Sequence, residues 1–279
     1  MADQPVLLDL DHFRVRPGVP VDLESVDPRD TPFVEQDQKD EVKDEILPAL
    51  NDRLETLQEL LWAQHRHRVL VVIQATDTGG KDSTIRRVFE GVDPSGVRVA
   101  SFKKPTEVEL AHDFLWRVHQ QVPADGELVI FNRSHYEDVL VVRVDELVPE
   151  SRWSGRYQHI VNFEQLLTDE GTTIVKLFLH ISRDEQRERL QDRLDDPGKH
   201  WKFNPADLEP REKWNEYQQA FQDAINRTTT DTAPWFVVPA DRKWYRDLVV
   251  STILVETLER LNMTYPPAPP GLEDVTIPE

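Results

Sequence analysis

Residues 69–84 read VLVVIQATDTGGKDST, and this stretch decides the fold. The aliphatic run 69–74 is typical of a strand buried on both faces, and a helical pattern over 80–90 follows the glycine pair. Backbone N–H groups and a helix N-terminus face an anion in such an arrangement. A strand, a glycine-rich turn with a lysine and a helix therefore predict a phosphate-binding loop (P-loop).

The loop departs twice from the Walker A pattern G-x-x-x-x-G-K-[ST]. Ala75 replaces the first glycine, which is tolerable if this position keeps a negative φ. Asp82 follows Lys81 where a hydroxyl residue is usual, and Asp77 adds a second carboxylate. Carboxylates repel phosphate unless a cation lies between them, so the loop predicts Mg²⁺-bound phosphate. For Asp82, a favourable acid in the first helical turn is an equally good interpretation.

The remaining loop side chains and Lys81 define a candidate phosphate site. Lys81 is expected to contact terminal phosphates, and Asp77 to orient the attacking group or accept its proton. The loop residues expected to contact phosphate or nucleotide are Thr78, Gly79, Gly80, Asp82, Ser83 and Thr84.

Aliphatic runs and helical patterns alternate beyond this loop. Because strands that alternate with helices form a parallel sheet covered on both sides, we predict an α/β, three-layer fold with five parallel strands. The other predicted strands are 97–101, 127–131, 173–181 and 235–238. The predicted helices are 80–90, 106–121, 134–144, 156–170, 183–194, 211–227 and 241–262.

The peripheral segments predict one domain over residues 1–279. Residues 1–34 have no sustained period and are expected to wrap the surface, whereas 35–66 has the spacing of an amphipathic helix. Pro48 should kink that helix or mark its start. Residues 195–210 are polar and interrupted by glycine and proline, which indicates a lid, and 265–279 is a proline-rich surface tail.

Charge and composition narrow the functional classes. The net charge of −19 argues against a general nucleic-acid binder, although residues 1–60, with 16 acidic and 6 basic side chains, carry −10 of it. A local basic channel remains possible in the middle of the chain. No run is long enough to cross a bilayer and no secretion signal is visible, so we expect a cytoplasmic protein. Any metal must bind oxygen or histidine, because cysteine is absent.

A second motif, FNRSHYEDVL at 131–140, follows the third predicted strand. Side chains at the carboxyl end of a parallel strand face the ligand crevice. Asn132 holds the position where an acid often binds Mg²⁺, and Arg133 suits bidentate phosphate contact. Glu137 is either a metal ligand or, more in keeping with Ser134 as a helix N-cap, the partner in a capping box.

Basic side chains occur in a third motif, residues 182–203, and after the second strand. Arg189 and Arg193 share a helix face and lead to Lys199, which suits a lid that closes over phosphates, although a solvated helix is the alternative. Lys103 and Lys104 are expected at the crevice edge. Arg117 either faces phosphate or pairs with Asp113 four residues earlier.

Taken together, the motifs resemble the polyphosphate kinase 2 family, and most closely its class III branch, over residues 35–265. The matching motifs are ATDTGGKDST (75–84), FNRSHYED (131–138), QRERLQDR (186–193), DDPGKHWKF (195–203) and APWFVVPADRKWYRDLVVS (233–251). Two positions depart from other branches: Asn132 replaces a metal-binding aspartate, as is usual in class III, and Ser83 replaces a common glycine.

The resemblance implies a P-loop kinase fold similar to thymidylate kinase, with a helical lid. It implies reversible, Mg²⁺-assisted phosphoryl transfer between inorganic polyphosphate and adenine nucleotides, with both ADP and AMP as acceptors. Asp77 would bind Mg²⁺ or activate the acceptor, Lys81 and Arg133 would hold the transferred group, and Arg189 with Arg193 would close on phosphate.

Several expectations stay open beside this resemblance. Mn²⁺ is an alternative metal and guanine nucleotides are alternative acceptors, and we expect a homo-oligomer, either a dimer or a tetramer. An ATP-dependent nucleoside or nucleotide kinase has the same fold and is the first alternative function. A non-catalytic nucleotide- or polyphosphate-binding regulator is the second, and Asn132 is the residue that favours it.

Overall fold

Five parallel strands form the centre of the structure, a computed structural model that describes residues 8–205, 208–272 and 275–278. They pair in the order β2-β3-β1-β4-β5, so the strand before the P-loop is central. The predicted strands are confirmed, with bounds shifted by a residue or two. The strands are β1 Arg68–Ala75, β2 Val97–Ser101, β3 Leu128–Asn132, β4 Thr172–His180 and β5 Trp235–Pro239.

Helices cover both faces of this sheet. The helices are α1 Lys39–Glu41, α2 Leu47–Gln64, α3 Lys81–Val88, α4 Glu107–Leu110, α5 Trp116–His119, α6 Val141–Val144, α7 Glu150–Trp153, α8 Arg156–Asp169, α9 Arg183–Asp195, α10 Leu208–Glu212, α11 Trp214–Thr228 and α12 Lys243–Glu259. The three-layer P-loop kinase fold predicted from the sequence is therefore confirmed.

Two apolar cores, one on each face of the sheet, follow from alternation along β1. Val71 and Ile73 face a core formed with α2, α3 and α12. Leu70 and Val72 face the opposite core, formed with α8 and α11. Since both faces are covered, the strands read as continuous aliphatic runs, and only their carboxyl ends are left to build a site.

The N-terminal helix accommodates Pro48 at its true start. Pro48 occupies the first turn of α2, where a missing N–H costs nothing. A π-helical turn, Val42–Ile46, precedes it and joins it to α1. The single helix predicted over 35–66 is thus divided ahead of the proline, as π turns often divide helices.

Two predicted helices are wrong in extent. Residues 106–121 form only α4 and α5, because the Asp113 side chain accepts a hydrogen bond from the Leu115 N–H at 2.9 Å and replaces a helical turn. Residues 134–144 form a 3₁₀ turn, His135–Val139, followed by the short α6. Both irregular segments follow strands at the carboxyl edge of the sheet.

Residues 8–34, here called the strap, cross the free edge of β5. Val15 donates to the Trp235 carbonyl at 2.8 Å, and Val237 donates to the Phe13 carbonyl at 2.9 Å. Farther along, the Tyr245 hydroxyl donates to the Pro32 carbonyl at 2.6 Å. The surface wrapping predicted for 1–34 is confirmed for its described part, which also covers an edge strand that would otherwise be unpaired.

The predicted lid and tail lie on the surface. Residues 197–202 form a 3₁₀ helix after α9, and residues 206–207 of the predicted lid lie outside the described residues. The described residues of the tail are exposed. In the described part of the chain, no helix has the length and apolar character needed to span a membrane.

Candidate active site

The loop between β1 and α3 has the backbone geometry of an anion cradle. The Gly79 N–H donates to the Thr76 carbonyl at 3.0 Å, which tightens the turn. Thr78 and Gly80 have φ values of 61° and 100°, and Gly80 caps α3. A Cβ on Gly79 would lie 2.5 Å from the Ala75 Cβ, so Ala75 fits only because Gly79 has no side chain. The loop is therefore intact despite both departures from the Walker A pattern.

The Lys81 side chain folds back onto the backbone of the P-loop. Its Nζ donates to the Ala75 carbonyl at 2.9 Å and to the Thr76 carbonyl at 3.2 Å, and the side chain is buried. Burial lowers the pKa of the Lys81 ammonium, Arg133 lowers it further, and Asp77 opposes both. The lysine thus lies inside the loop, next to the position that a bound phosphate would take.

Asp77 and Arg133 form an ion pair across the site. The Arg133 Nη2 donates to the Asp77 Oδ1 at 2.6 Å. Arg133 has a φ of 61°, uncommon for a side chain of this size, and its N–H donates to the Ile73 carbonyl at 3.2 Å. Gln186 holds the loop separately, since its Nε2 donates to the Asp77 carbonyl at 3.1 Å. The two predicted catalytic residues are brought together by β1, β3 and α9.

The predicted oxygen ligands converge without forming a ready-made metal cage. The Asn132 amide donates to the Asp82 Oδ1 at 2.6 Å, which places Asp82 in the site and not merely in the first turn of α3. No group of three or more His, Asp or Glu side chains suited to a metal ion occurs among the residues that the structure describes. A metal at Asp77, Asn132 and Glu137 would therefore need further oxygen donors, such as phosphates.

Glu137 faces the cavity beside Asp77 and Arg133. Burial raises the pKa of its carboxyl, while Arg133 and Lys81 act in the opposite direction. Ser134 caps the following turn, as predicted, by accepting from the Tyr136 N–H at 3.2 Å. Of the two readings left open, the structure thus favours Glu137 as a group of the site over its role in a capping box.

The hydroxyl side chains of the loop fall into two groups, those that donate a hydrogen bond to the backbone and those that do not. Ser83 and Thr84 both donate to the Gly80 carbonyl, at 2.8 and 3.0 Å, and so reinforce the first turn of α3. The Thr76 and Thr78 hydroxyls are buried and have no hydrogen-bond partner among the residues that the structure describes. Thr76 was not predicted as a site residue, because no sequence motif marks it. Only the structure shows that its buried hydroxyl lacks a hydrogen-bond partner among the described residues.

Arg189 takes a different position from the one predicted. Its Nη1 donates to the Thr78 carbonyl at 3.1 Å, its Nη2 to the Ala240 carbonyl at 2.7 Å, and its Nε to Glu185 at 2.7 Å. All three nitrogens are thus engaged with protein groups. Arg189 joins the P-loop to the end of β5 from behind and does not lie over the site.

The other predicted cations lie farther out. The Arg193 Nη1 donates to the Lys202 carbonyl at 3.2 Å, and Lys199 pairs with Asp196 at 3.0 Å. Lys103 and Lys104 are exposed on the loop after β2. Arg117 pairs neither with Asp113 nor directly with the site: its Nη1 donates to the Lys103 carbonyl at 2.8 Å and supports that loop from below.

A cavity of about 270 Å³ opens beside the P-loop. Its lining includes the charged side chains of Asp77, Arg133 and Glu137 and two further acids, Asp145 and Glu209. Apolar and aromatic side chains line the same cavity, namely Leu140, Val141, Trp214, Tyr217 and Phe221. A lining that combines a few polar groups with aromatic side chains suits a ligand with an anionic end and a planar apolar end.

A buried polar cluster lies below the turn that carries Arg133 and Glu137. Glu164 accepts from the Lys176 Nζ at 2.6 Å and from the Tyr136 hydroxyl at 2.7 Å. His135 lies 3.1 Å from the same carboxylate. Although burial raises it, Lys176 and His135 hold the pKa of Glu164 below its ordinary value. The Tyr-Glu motif at 136–137 therefore has one residue in the core and one in the site.

Asp241 organises the start of α9. Its carboxylate accepts from the Ser182 N–H at 2.8 Å and the Ser182 hydroxyl at 2.7 Å. Ser182 in turn caps α9 by accepting from the Glu185 N–H at 3.0 Å. Arg29 of the strap pairs with Asp241 at 3.1 Å from the outside. Sequence reasoning did not single out Asp241, since its partners are up to 212 residues away along the chain.

Comparisons with known proteins agree on one family. Residues 36–266 match the model of the family described as Polyphosphate kinase 2. The chain is 60% identical to an AMP/ADP-polyphosphate phosphotransferase of Meiothermus ruber over 95% of this chain and 98% of that one. It is 45% identical to an ADP-polyphosphate phosphotransferase of Rhodopseudomonas palustris, covering 93% of each. The crystal structure of polyphosphate kinase 2 from Arthrobacter aurescens TC1 superimposes with a TM-score of 0.88 at 44% identity, covering 92% of this chain and 91% of that one.

Proposed function

This chain belongs to the polyphosphate kinase 2 family, and on that premise we propose that it transfers phosphoryl groups from inorganic polyphosphate to ADP and AMP. The observation that carries the proposal is the Asp77–Arg133 pair, which lies in electrostatic range of Lys81 and lines a cavity that also has aromatic side chains. The reaction is reversible, since each product is itself a phosphate anhydride.

The transfer is a substitution at the terminal phosphorus of polyphosphate. A terminal phosphate oxygen of AMP or ADP forms the new P–O bond, and the bond to the penultimate phosphate breaks, which leaves the chain one unit shorter. Positioning and charge neutralisation dominate such reactions. Lys81 exchanges its loop carbonyls for phosphate oxygens, Arg133 holds the transferred group, and Asp77 orients the attacking oxygen.

Mg²⁺, with Mn²⁺ as a substitute, is part of this proposal. Asp77, Asp82, Asn132 and Glu137 offer oxygen atoms around the loop, and substrate phosphates would complete the coordination that Mg²⁺ requires. When bound, the ion neutralises charge on the phosphates. The proposal is supported by the contact of the Asn132 amide with the Asp82 Oδ1 at 2.6 Å, which brings two of these oxygen-bearing side chains together beside the loop.

The acceptor base is proposed to lie against the aromatic side chains of the cavity. Polyphosphate has no apolar part, so Trp214, Tyr217 and Phe221 are suited to the nucleotide and not to the donor. Burial raises the pKa of the Tyr217 phenol, and nearby Asp145 raises it further, so the group stays protonated and can donate a hydrogen bond. Adenine is the proposed base, and guanine is the alternative that the assay separates.

Assembly and location complete the proposal. The enzyme works as a homo-oligomer, a dimer or a tetramer, in the cytoplasm, where nucleotides and Mg²⁺ are available together. Light scattering after size-exclusion chromatography at working concentrations measures the oligomeric state directly, and a monomer throughout would refute that part.

The decisive experiment offers AMP, ADP, GMP and GDP separately, with polyphosphate as the sole donor and Mg²⁺ present. We expect ATP from ADP, and ADP followed by ATP from AMP, measured by chromatography of the nucleotides. Product only after ATP is supplied would instead indicate an ATP-dependent kinase. Binding of polyphosphate or nucleotide without any product would indicate a regulator, and either result would refute the proposal.

A further inference from the structure

Arg246, on α12, carries a charge that is wholly buried. Its Nε and Nη2 donate to the Asp247 Oδ1 at 2.9 and 2.6 Å. Its Nη1 is buried and makes no hydrogen bond to the described residues. Guanidinium groups stay protonated inside proteins, and burying a charge with incomplete partners costs free energy. We therefore expect a functional role for Arg246 that offsets the free-energy cost of burying its Nη1, which is unpaired among the described residues.

Nη1 of Arg246 is directed at the P-loop. A Cβ on Gly80 would lie 2.4 Å from this nitrogen and 3.4 Å from the Arg189 Nη1. Two guanidinium groups, one from α9 and one from α12, thus meet at the residue that begins α3. Gly80 is required here for two separate reasons, because its φ is 100° and because any side chain would displace Arg246.

The guanidinium groups packed around Arg246 outnumber the carboxylates that pair with them. Arg246 pairs with Asp247, whose second oxygen lies 3.9 Å from Arg87, and Arg189 pairs with Glu185. Three guanidinium groups therefore share two carboxylates. Burial lowers the pKa of Arg246, Asp247 opposes this, and Arg189 and Arg87 lower the pKa further by repulsion between like charges. A polyanion bound in the loop would relieve that repulsion.

We propose that Arg246 is a positioning residue for phosphate binding, acting through Gly80 on the P-loop. It holds the left-handed Gly80 from behind, and its charge gives the N-terminus of α3 a permanent positive potential in surroundings that screen it poorly. Its Nη1 lies against Gly80, so it is proposed to act on the loop backbone. The inference deepens the proposed function and rests on it, since the anion in question is the polyphosphate or nucleotide phosphate.

The test uses the double variant Arg246→Met/Asp247→Leu in the full chain, which removes the pair without changing the net charge. Replacing a buried ion pair by apolar groups of similar size is often neutral for stability, so we expect Tm without ligand to stay near the wild-type value. The apparent Kd for inorganic tripolyphosphate, from the ligand-induced shift in Tm, should rise about tenfold, because a loss of about 1.4 kcal/mol through the altered loop changes a binding constant by that factor. KM for polyphosphate should rise in parallel, with a smaller fall in kcat.

Two further variants make the outcome unambiguous. Arg53→Gln/Glu259→Gln removes an exposed ion pair that joins α2 to the last residue of α12, and this variant should bind tripolyphosphate like the wild type. Arg246→Lys loses the two-donor contact with Asp247 but keeps a cation at this position, and it should bind within about threefold of the wild type. Wild-type affinity in the double variant, or loss of affinity in Arg246→Lys, would overturn the inference. Absence of turnover in the wild type, by contrast, would refute the proposed function and is read from the activity assay alone.

Discussion

Asp77→Asn should separate catalysis from folding in this enzyme. The substitution removes the charge that pairs with Arg133 at 2.6 Å and leaves a side chain of the same shape. The loop should keep its geometry, because Gln186 bonds the carbonyl and not the side chain of residue 77. Only the electrostatic role of Asp77, towards Arg133, the acceptor and Mg²⁺, is lost.

The expected magnitudes follow from exposure and position. The side chains of Arg133 and Asp77 are 42% and 23% exposed, so solvent screens the pair. Its loss should cost at most about 1 kcal/mol of unfolding free energy, or roughly 2–4 °C in Tm for a chain of this size. Removing one group that is preorganised for the transition state typically lowers kcat about 10²–10³-fold. The fall in turnover should therefore greatly exceed anything that the change in stability explains.

The assay follows ATP formation from ADP at saturating polyphosphate and Mg²⁺, alongside a thermal melt of each variant. Asp125→Asn is a matched control, since Asp125 pairs with Arg68 at the same distance of 2.6 Å at the opposite end of β1. The control should retain full turnover. Full turnover in Asp77→Asn, or an equal loss in the control, would refute the assigned role.

Three other substitutions test separate parts of the structure. Gly80→Ala should lower both Tm and turnover, because φ is 100° there and the new Cβ would collide with Arg246; a melt and an assay with unchanged values would contradict this. Glu137→Gln should flatten the decline of stability with rising pH in metal-free buffer. Burial raises the pKa of the Glu137 carboxyl in the folded state above its ordinary value of 4.5. Its contribution to the free energy of unfolding is therefore fully present below pH 4.5 and is lost as pH rises through the folded-state pKa. If Glu137→Gln left the pH dependence of unfolding unchanged, the carboxyl would not be buried. Lys176→Met should cost about 3–5 kcal/mol in urea unfolding by stranding Glu164, and Lys176→Met/Glu164→Leu should recover most of that loss; equal stability of the two variants would exclude a buried ion pair.

The sheet and the loop could be predicted from sequence because their signals are local. Each strand is a continuous aliphatic run, and the glycine pair before Lys81 marks the turn in a few residues. The errors arose where side chains compete with the backbone. Between α4 and α5 the Asp113 side chain accepts a hydrogen bond from the Leu115 N–H, and a periodic pattern over 106–121 cannot reveal that bond.

Within the site, the sequence predicted which residues come together better than it predicted their contacts. Asp77, Lys81 and Arg133 lie close together, because they follow adjacent parallel strands. Arg189 donates to the Thr78 carbonyl of the loop, a contact that helical spacing alone does not predict. The sequence motif that contains Arg246 does not indicate a role for it, because its contact with Gly80 is visible only in the folded structure.

The strap has a further meaning when the family match is considered beside it. The family model matches from residue 36, yet Arg29 pairs with Asp241, whose carboxylate holds Ser182, the N-cap of the helix that carries Arg189 and Arg193. The strap thus supports the start of α9 from outside the residues that the family model matches. Substitutions in the strap are expected to change how α9 is held while leaving the side chains of the site unchanged. Exchanging straps between relatives would be a way to tune turnover without redesigning the catalytic residues.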